Sequence, residues 1–232
     1  MFAHLADDLA TARRRDPAAR SSFEVALTYP GVHAIWAYRI THWLWEHDMK
    51  LLARGGAAIS QHFTGVDIHP AATIGSGIFI DHAIGVVIGE TAVVGDDVTI
   101  YQGVTLGGTS LEHVKRHPTI GDRVILGAGA KVLGPITVGD DSRIGANAVV
   151  VRSVPANSVV VGVPGQIIAR STAASSPAPD PQDAQMPDLV GLSLQALLRR
   201  VDELETKVHG HASTKDVRPS PAGIWSGEDF SI

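Results

Sequence analysis

The chain has no cysteine and few aromatic residues. Of its 232 residues, 5% are Phe, Trp or Tyr, whereas 24 are Gly. The lack of cysteine excludes a disulfide framework and thiolate chemistry, and it suits the cytoplasmic location that we expect. A core with few aromatic rings must be built from small and branched aliphatic residues, which favours thin, repeated layers.

Long apolar runs are also missing, although apolar residues make up 44% of the chain. No window approaches ~18 consecutive apolar residues, so we expect no membrane-spanning helix. The opening residues, MFAHLADDLATARRRD, carry acidic side chains and no continuous apolar stretch, so we expect no secretory signal there. The net charge of −5 gives no indication of nucleic-acid binding.

Residues 63–170 follow a six-residue period. An aliphatic residue returns at every sixth position in two registers: Ile68, Ile74, Ile80, Val86, Ala92, Val98 and Val104, then Ile120, Leu126, Val132, Val138, Ile144 and Val150. Period six fits neither a helix nor an alternating strand, whereas a hexapeptide repeat forms a parallel β-helix. We therefore predict a prism of about five coils. A sandwich of short strands is the alternative.

The repeat is interrupted once. Val104 and Ile120 are not separated by a multiple of six residues, so a loop covering roughly residues 107–118 must leave the prism. Loops that a rigid scaffold carries are common places for function.

Two further regions flank the repeat. Residues 1–62 have apolar residues at helical spacing, which predicts two or three helices. Residues 171–232 begin with a linker rich in Ser, Ala and Pro and continue with a heptad pattern from Val190 to Val208. This pattern predicts a short amphipathic helix, followed by a polar tail that ends at Ile232.

Polar residues within the repeat fall into two groups. Turn chemistry explains Asp96, Asp97, Asp122, Asp140 and Asp141. It does not readily explain the second group, which consists of Asp67, Asp81, His82, Glu90, Gln102, Arg116 and His117.

The spacing of Asp67 and His82 is slightly less than one coil of about eighteen residues, which predicts adjacent coils at the same corner. A carboxylate that accepts a hydrogen bond from one imidazole nitrogen leaves the other nitrogen available as a base. His117 follows Arg116 at the base of the predicted loop. The alternative is a zinc site that uses His82, His113 and His117, as in the γ-class carbonic anhydrases.

Several stretches resemble the serine acetyltransferases. They are RRRDPAAR, AYRITHWLW, VDIHPAATIGSGIFIDHAIGVVIGETAVVGDDVTIYQGVTLGGT, KRHPTIGDRVILGAGAKVLGPI and GVPGQI, and together they cover about residues 10–170. The resemblance implies a left-handed parallel β-helix that transfers acetyl from acetyl-CoA to serine, giving O-acetylserine for cysteine biosynthesis. A hexapeptide acyltransferase for homoserine or a sugar is the alternative.

The same resemblance implies roles for individual residues. His82 is the general base and Asp67 orients it. Asp16, Asp81, Arg116 and His117 bind serine; Asp16 holds its ammonium group, Arg116 suits its carboxylate, and His117 comes from a neighbouring subunit. Coenzyme A contacts are implied for Gly108, Ala128, Arg143 and Ala146. No metal is expected.

The resemblance also implies partners. Many bacterial members of the family join two trimers into a hexamer through a longer helical region. The helical region here is short, so we expect a trimer with active sites between subunits, with a dimer of trimers as the alternative. The C-terminal DFSI resembles the tail that docks on O-acetylserine sulfhydrylase, which gives Ile232 a partner-binding role. A non-catalytic partner of the sulfhydrylase is a third interpretation, against which the intact Asp67 and His82 argue. The loop departs from the family pattern, since Leu111, Glu112, His113 and Val114 replace small residues.

Overall fold

A computed structural model describes residues 2–170 and residues 197–201, 203, 204 and 206, with side chains of the first range described from 5 to 168. The chain divides into two units, Met1–Ala184 and Gln185–Ile232. The described residues of the second unit are helical and fall within the predicted amphipathic helix. The linker after residue 170, both ends of the heptad pattern and the tail with Ile232 lie outside the described residues.

Four helices precede the prism, rather than two or three: α1 (Phe2–Arg15), α2 (Ser22–Thr28), α3 (Pro30–Glu46) and α4 (Lys50–Thr64). Ser21 caps α2 by accepting the Glu24 N–H at 3.1 Å, and Pro30 opens α3. Gly65 ends α4 in the left-handed conformation. No helix in the described ranges is long and apolar enough to cross a membrane.

Residues 67–170 form short strands that build the three faces of a prism. The strands are β1 (Asp67–Ile68), β2 (Thr73–Ile74), β3 (Phe79–Ile80), β4 (Val87–Ile88), β5 (Val93–Val94), β6 (Thr99–Ile100), β7 (Thr105–Gly107), β8 (Thr119–Ile120), β9 (Ile125–Leu126), β10 (Lys131–Leu133), β11 (Thr137–Val138), β12 (Arg143–Ile144), β13 (Val149–Val150), β14 (Ser158–Val161) and β15 (Gln166–Arg170).

From β1 to β13, every third strand belongs to the same sheet. Sheet A has the order β1-β4-β7-β10-β13, sheet B the order β11-β8-β5-β2, and sheet C the order β15-β14-β12-β9-β6-β3. All pairs are parallel except β14 with β15, which are antiparallel. The predicted left-handed β-helix of about five coils is confirmed.

The period-six residues form the core of this prism. Twelve of the thirteen repeated positions are buried, and Ile74 is partly buried against the same cluster. The strand pairing sets Ile68, Ile74 and Ile80 beside Ile88, Val94 and Ile100, so the first coil has twenty residues rather than eighteen. Val86, Ala92, Val98 and Val104 are buried two positions before the residues that pair.

The corners of the prism are named by the sheets they join. The B–C corner carries a ladder in which Asp96, Asp122 and Asp140 accept backbone N–H groups from the adjacent coil at 2.7, 2.9 and 3.0 Å. These three aspartates therefore stabilise the turns by hydrogen bonding, as expected. The A–B corner carries the loop, which runs from residue 108 to residue 118 between β7 and β8, so the predicted interruption is confirmed.

The helices cover the first strands of sheet C. Phe79 points outward from β3 and is buried in a cluster with Ala12, Val25 and Val32. Arg15 donates to Thr99 Oγ1 and to the Asp97 carbonyl oxygen, each at 2.8 Å, and this fixes the end of α1 on the prism. Asp16, the next residue, is thereby held against the same body.

Candidate active site

His82 lies at the C–A corner, directly after β3 and Asp81. Its φ of 56° and the φ of 56° at Ala83 are in the left-handed region, which costs non-glycine residues about 1–3 kcal/mol each. Ala83 is fully buried, whereas the His82 side chain is 74% exposed. The fold therefore holds a strained corner that presents the imidazole outward, as is common at functional sites.

Two carboxylates accompany His82 at this corner. Asp67 lies on β1, in the preceding coil. The Gly85 N–H donates to the Gly65 carbonyl at 2.8 Å, and this bond links the two coils at the corner. Asp81 Oδ2 is 4.0 Å from His82 Nε2. Among the described residues no hydrogen bond joins Asp67 to His82, so the orienting role of Asp67 stays a prediction.

Asp16 is fixed by two donors near the same corner. The Tyr29 hydroxyl donates to Asp16 Oδ2, and the Ala18 N–H donates to Oδ1 at 2.7 Å. Burial raises the pKa of Tyr29 to about 12, and Asp16 and Asp81 contribute to this shift. The phenol therefore stays protonated near two carboxylates, an arrangement that suits an ammonium group.

Sequence reasoning did not select Tyr29. It directly precedes Pro30, which opens α3. Its position in the sequence could have drawn attention to Tyr29, because it lies between residues 13–20 and residues 37–45, and both segments carry family motifs.

A second group of candidate residues lies at the A–B corner. Arg116 donates to Glu90 at 2.7 Å, and Thr91 Oγ1 accepts the backbone N–H groups of Arg116 and His117 at 3.0 Å each. A Cβ on Gly89 would lie 2.0 Å from His117 Nε2, so only glycine leaves room for the ring. The Gly89-Glu90-Thr91 motif therefore holds the end of the loop, a role that sequence reasoning missed.

His117 itself is only 7% exposed. Burial lowers its pKa, as do Arg116 and Lys115, while Glu90 acts in the opposite direction. The ring is therefore held in its neutral form.

Sheet A separates the two groups of residues. Asp67, Asp81 and His82 belong to the C–A corner, whereas Arg116 and His117 belong to the A–B corner. Asp16 is linked to the C–A corner through Tyr29, whose pKa responds to both Asp16 and Asp81. Crossing sheet A takes about four residues, or ~13 Å at the rise of a β-strand. One small amino acid cannot span that distance within a single chain.

The coenzyme A candidates divide in the same way. Ala128 and Ala146 lie on the C–A corner, two and three coils beyond His82, and Arg143 lies on β12 next to that corner. Coils are ~4.8 Å apart, so Ala128 lies roughly 10 Å from His82 along this edge, with Tyr101 and Gln102 on the coil between them. Gly108 lies at the A–B corner beside Arg116 and His117.

Comparison with known proteins identifies the family. The model for bacterial transferase hexapeptide (six repeats) matches residues 117–152. The serine acetyltransferase of Mycobacterium tuberculosis is 60% identical over 233 residues, which is 100% of both chains. The chain belongs to the serine acetyltransferase family.

Solved structures of this family agree in fold. A Neisseria gonorrhoeae serine acetyltransferase in complex with serine is 45% identical, with a TM-score of 0.70 over 72% of this chain and 69% of that one. A Brucella abortus serine acetyltransferase in complex with coenzyme A is 46% identical, with a TM-score of 0.71 over 73% and 68% of the two chains.

Membership of the serine acetyltransferases makes the chain an acyltransferase and decides against the zinc alternative. His82 and His117 lie at different corners, and His113 lies in the loop between β7 and β8. Within the described parts of the chain, no three His, Asp or Glu side chains are grouped to hold a metal ion.

Proposed function

We propose that this chain transfers acetyl from acetyl-CoA to the hydroxyl of L-serine, with His82 as the general base. The observation that carries the proposal is the strained, outward-facing His82 at a corner that also holds carboxylates, in a chain of this family. The supply of O-acetylserine for cysteine biosynthesis follows from that activity.

His82 would act in two proton transfers. It takes the hydroxyl proton as the serine oxygen attacks the thioester carbon, and it returns that proton to the sulfur as the carbon–sulfur bond breaks. A positioned base of this kind contributes typically ~10²–10⁴-fold to the rate. Asp67 would hold the other ring nitrogen and stabilise the charged imidazolium.

The remaining residues would hold the amino acid. Asp16, fixed by Tyr29, and Asp81 suit the ammonium group, and Arg116 suits the carboxylate because guanidinium donors match two oxygens. Ala128, Arg143 and Ala146 would line the path of the coenzyme A arm.

A trimer would complete the site. If sheet A of each subunit faces a three-fold axis, the C–A corner of one subunit meets the A–B corner of the next, and the ring closes. Arg116, His117 and Gly108 of one subunit would then face His82 of its neighbour. This geometry is the support for the trimer.

The dimer of trimers stays an alternative. Helix α4 exposes Leu52, Ile59 and Phe63 along one face, at 63%, 62% and 80% of their surface. Sedimentation equilibrium distinguishes the two assemblies by mass.

The tail that ends at Ile232 would bind O-acetylserine sulfhydrylase through its terminal carboxylate. The similarity of DFSI to the family tail supports this. Deleting Ile232 should abolish binding to the purified sulfhydrylase and leave acetyl transfer intact, whereas unchanged binding would refute docking.

The cytoplasmic location also stays a prediction.

The activity is tested by following release of free CoA from acetyl-CoA. Release should require L-serine, and His82→Ala should reduce kcat by roughly 10²–10⁴-fold. His113→Ala, in the loop, is the matched control and should retain activity. Release that depends on homoserine or a sugar, and not on serine, would refute the proposal.

A further inference from the structure

Thr91 holds the end of the loop through several hydrogen bonds. Its Oγ1 accepts the backbone N–H groups of Arg116 and His117, each at 3.0 Å. Its backbone N–H and its Oγ1 also lie 3.2 and 2.9 Å from His117 Nδ1. The Thr91 carbonyl accepts the Lys115 ammonium at 2.5 Å. Thr91 therefore contacts both the backbone and the ring of the residue that it holds.

These contacts decide which nitrogen of His117 carries the proton. The Thr91 backbone N–H can only donate, so Nδ1 must offer its lone pair. Thr91 Oγ1 already accepts two backbone donors, and its own hydrogen is left to donate to the same Nδ1. A neutral imidazole with a lone pair at Nδ1 has its hydrogen at Nε2, an assignment that rests on the hydrogen-bond network.

The charges around His117 favour this neutral form. Burial lowers its pKa most, and Arg116 and Lys115 lower it further, against the opposing effect of Glu90. His69, from the coil that begins at β1, is the other titratable group that interacts with it. Near neutral pH the ring is therefore a donor at Nε2 and an acceptor at Nδ1.

The ring has little freedom to change this arrangement. Cβ atoms built on Gly89 and Gly108 would lie 2.0 and 3.1 Å from Nε2, so the ring fills a slot between two glycines. Turning the ring over would place a C–H group against the Thr91 hydroxyl and lose both bonds to Nδ1.

We propose that Thr91 is a positioning residue that fixes His117 as an Nε2–H hydrogen-bond donor. His117 then binds an oxygen of the amino-acid substrate and does not act as a second base. The contact between His117 and the substrate rests on the proposed function, in which His117 reaches the substrate across a subunit interface. The tautomer itself depends only on contacts within one chain.

The tautomer is tested by ¹⁵N NMR of the full-length protein with labelled imidazoles, using His117→Gln to identify the signal. The native protein and Thr91→Ser should show a single Nε2–H tautomer. Thr91→Val, which keeps the shape and loses the hydroxyl, should show mixed tautomers and a higher His117 pKa. Thr137→Val, on the exposed face of β11, is the matched control and should resemble the native protein.

Kinetics distinguish positioning from loop stability. Thr91→Val should lower kcat/KM for serine by roughly ten-fold and leave the KM for acetyl-CoA unchanged, and Thr91→Ser should restore serine use. A mixed or Nδ1–H tautomer in the native protein overturns the proposal without any variant. An unchanged tautomer and pKa in Thr91→Val also overturns it. If the tautomer changes and serine kinetics do not, Thr91 still positions the ring, and the proposed serine contact of His117 fails.

Discussion

Tyr29 connects the helical region to the candidate active site through one hydroxyl. It donates to Asp16, which lies just beyond α1, and its pKa also responds to Asp81 at the C–A corner. A hydrogen bond to a charged group contributes about 1.5–3 kcal/mol. The position of the Asp16 carboxylate therefore depends on a residue that need not touch the substrate.

We predict that Tyr29→Phe raises the KM for serine by roughly ten-fold and leaves the KM for acetyl-CoA unchanged, because Asp16 loses its charged hydrogen bond. Steady-state kinetics with each substrate varied in turn measure both constants. Tyr38→Phe is the control, since the Tyr38 hydroxyl donates to the Ala72 carbonyl at 2.7 Å and not to Asp16. An equal rise in the KM for serine in both variants would show that the helical region is destabilised as a whole and that the Asp16 contact is not specific.

Residues with distinctive chemistry could be selected from the sequence, and their supporting residues could not. His82, Asp67, Arg116 and His117 stood out because charged residues are unusual in an aliphatic repeat. Thr91 and Tyr29 did not, because threonine is ordinary in a turn and tyrosine is ordinary beside a helix start. Their importance comes from hydrogen bonds to residues 26 and 13 positions away, which no local pattern encodes.

At the scale of elements, the strands were more predictable than the helices. Each coil repeats the same inward aliphatic residue, so thirteen positions supported one conclusion. The helical spacing of residues 31–63 did not separate α3 from α4, because apolar residues resume at Leu51 and Leu52 directly after the stretch EHDMK. The break at residues 47–49 uses Asp48 in the left-handed conformation, which aspartate tolerates.

Two glycines in the helical region should respond in opposite directions to alanine. At Gly31, a Cβ would lie 2.0 Å from the Ile80 carbonyl oxygen, so Gly31→Ala should destabilise the fold by at least ~1–3 kcal/mol. At Gly55 nothing lies within 4 Å, so Gly55→Ala should stabilise α4 by up to about 1 kcal/mol. Chemical denaturation measures both changes. If the Gly31→Ala and Gly55→Ala variants have equal free energies of unfolding, the close approach of α3 to β3 is contradicted.

At the scale of the whole molecule, the site is divided between two corners of one prism. His82, the proposed base, and the carboxylates of Asp67 and Asp81 lie on one side of sheet A, and Arg116 and His117 lie on the other. Cyclic assembly joins unlike surfaces of identical chains, and it would bring these corners together around an axis. Each active site would then contain His82 of one subunit and His117 of the next.

Mixing two inactive variants tests this claim most directly. His82→Ala and His117→Ala should each be nearly inactive alone. After the two are unfolded together in equal amounts and refolded, about one quarter of the interfaces in a randomly mixed trimer pair an intact His82 with an intact His117. We therefore predict that CoA release recovers to roughly a quarter of the native rate. If both histidines serve one site within the same chain, no mixture restores it, and the absence of recovery in verified mixed trimers would contradict the account.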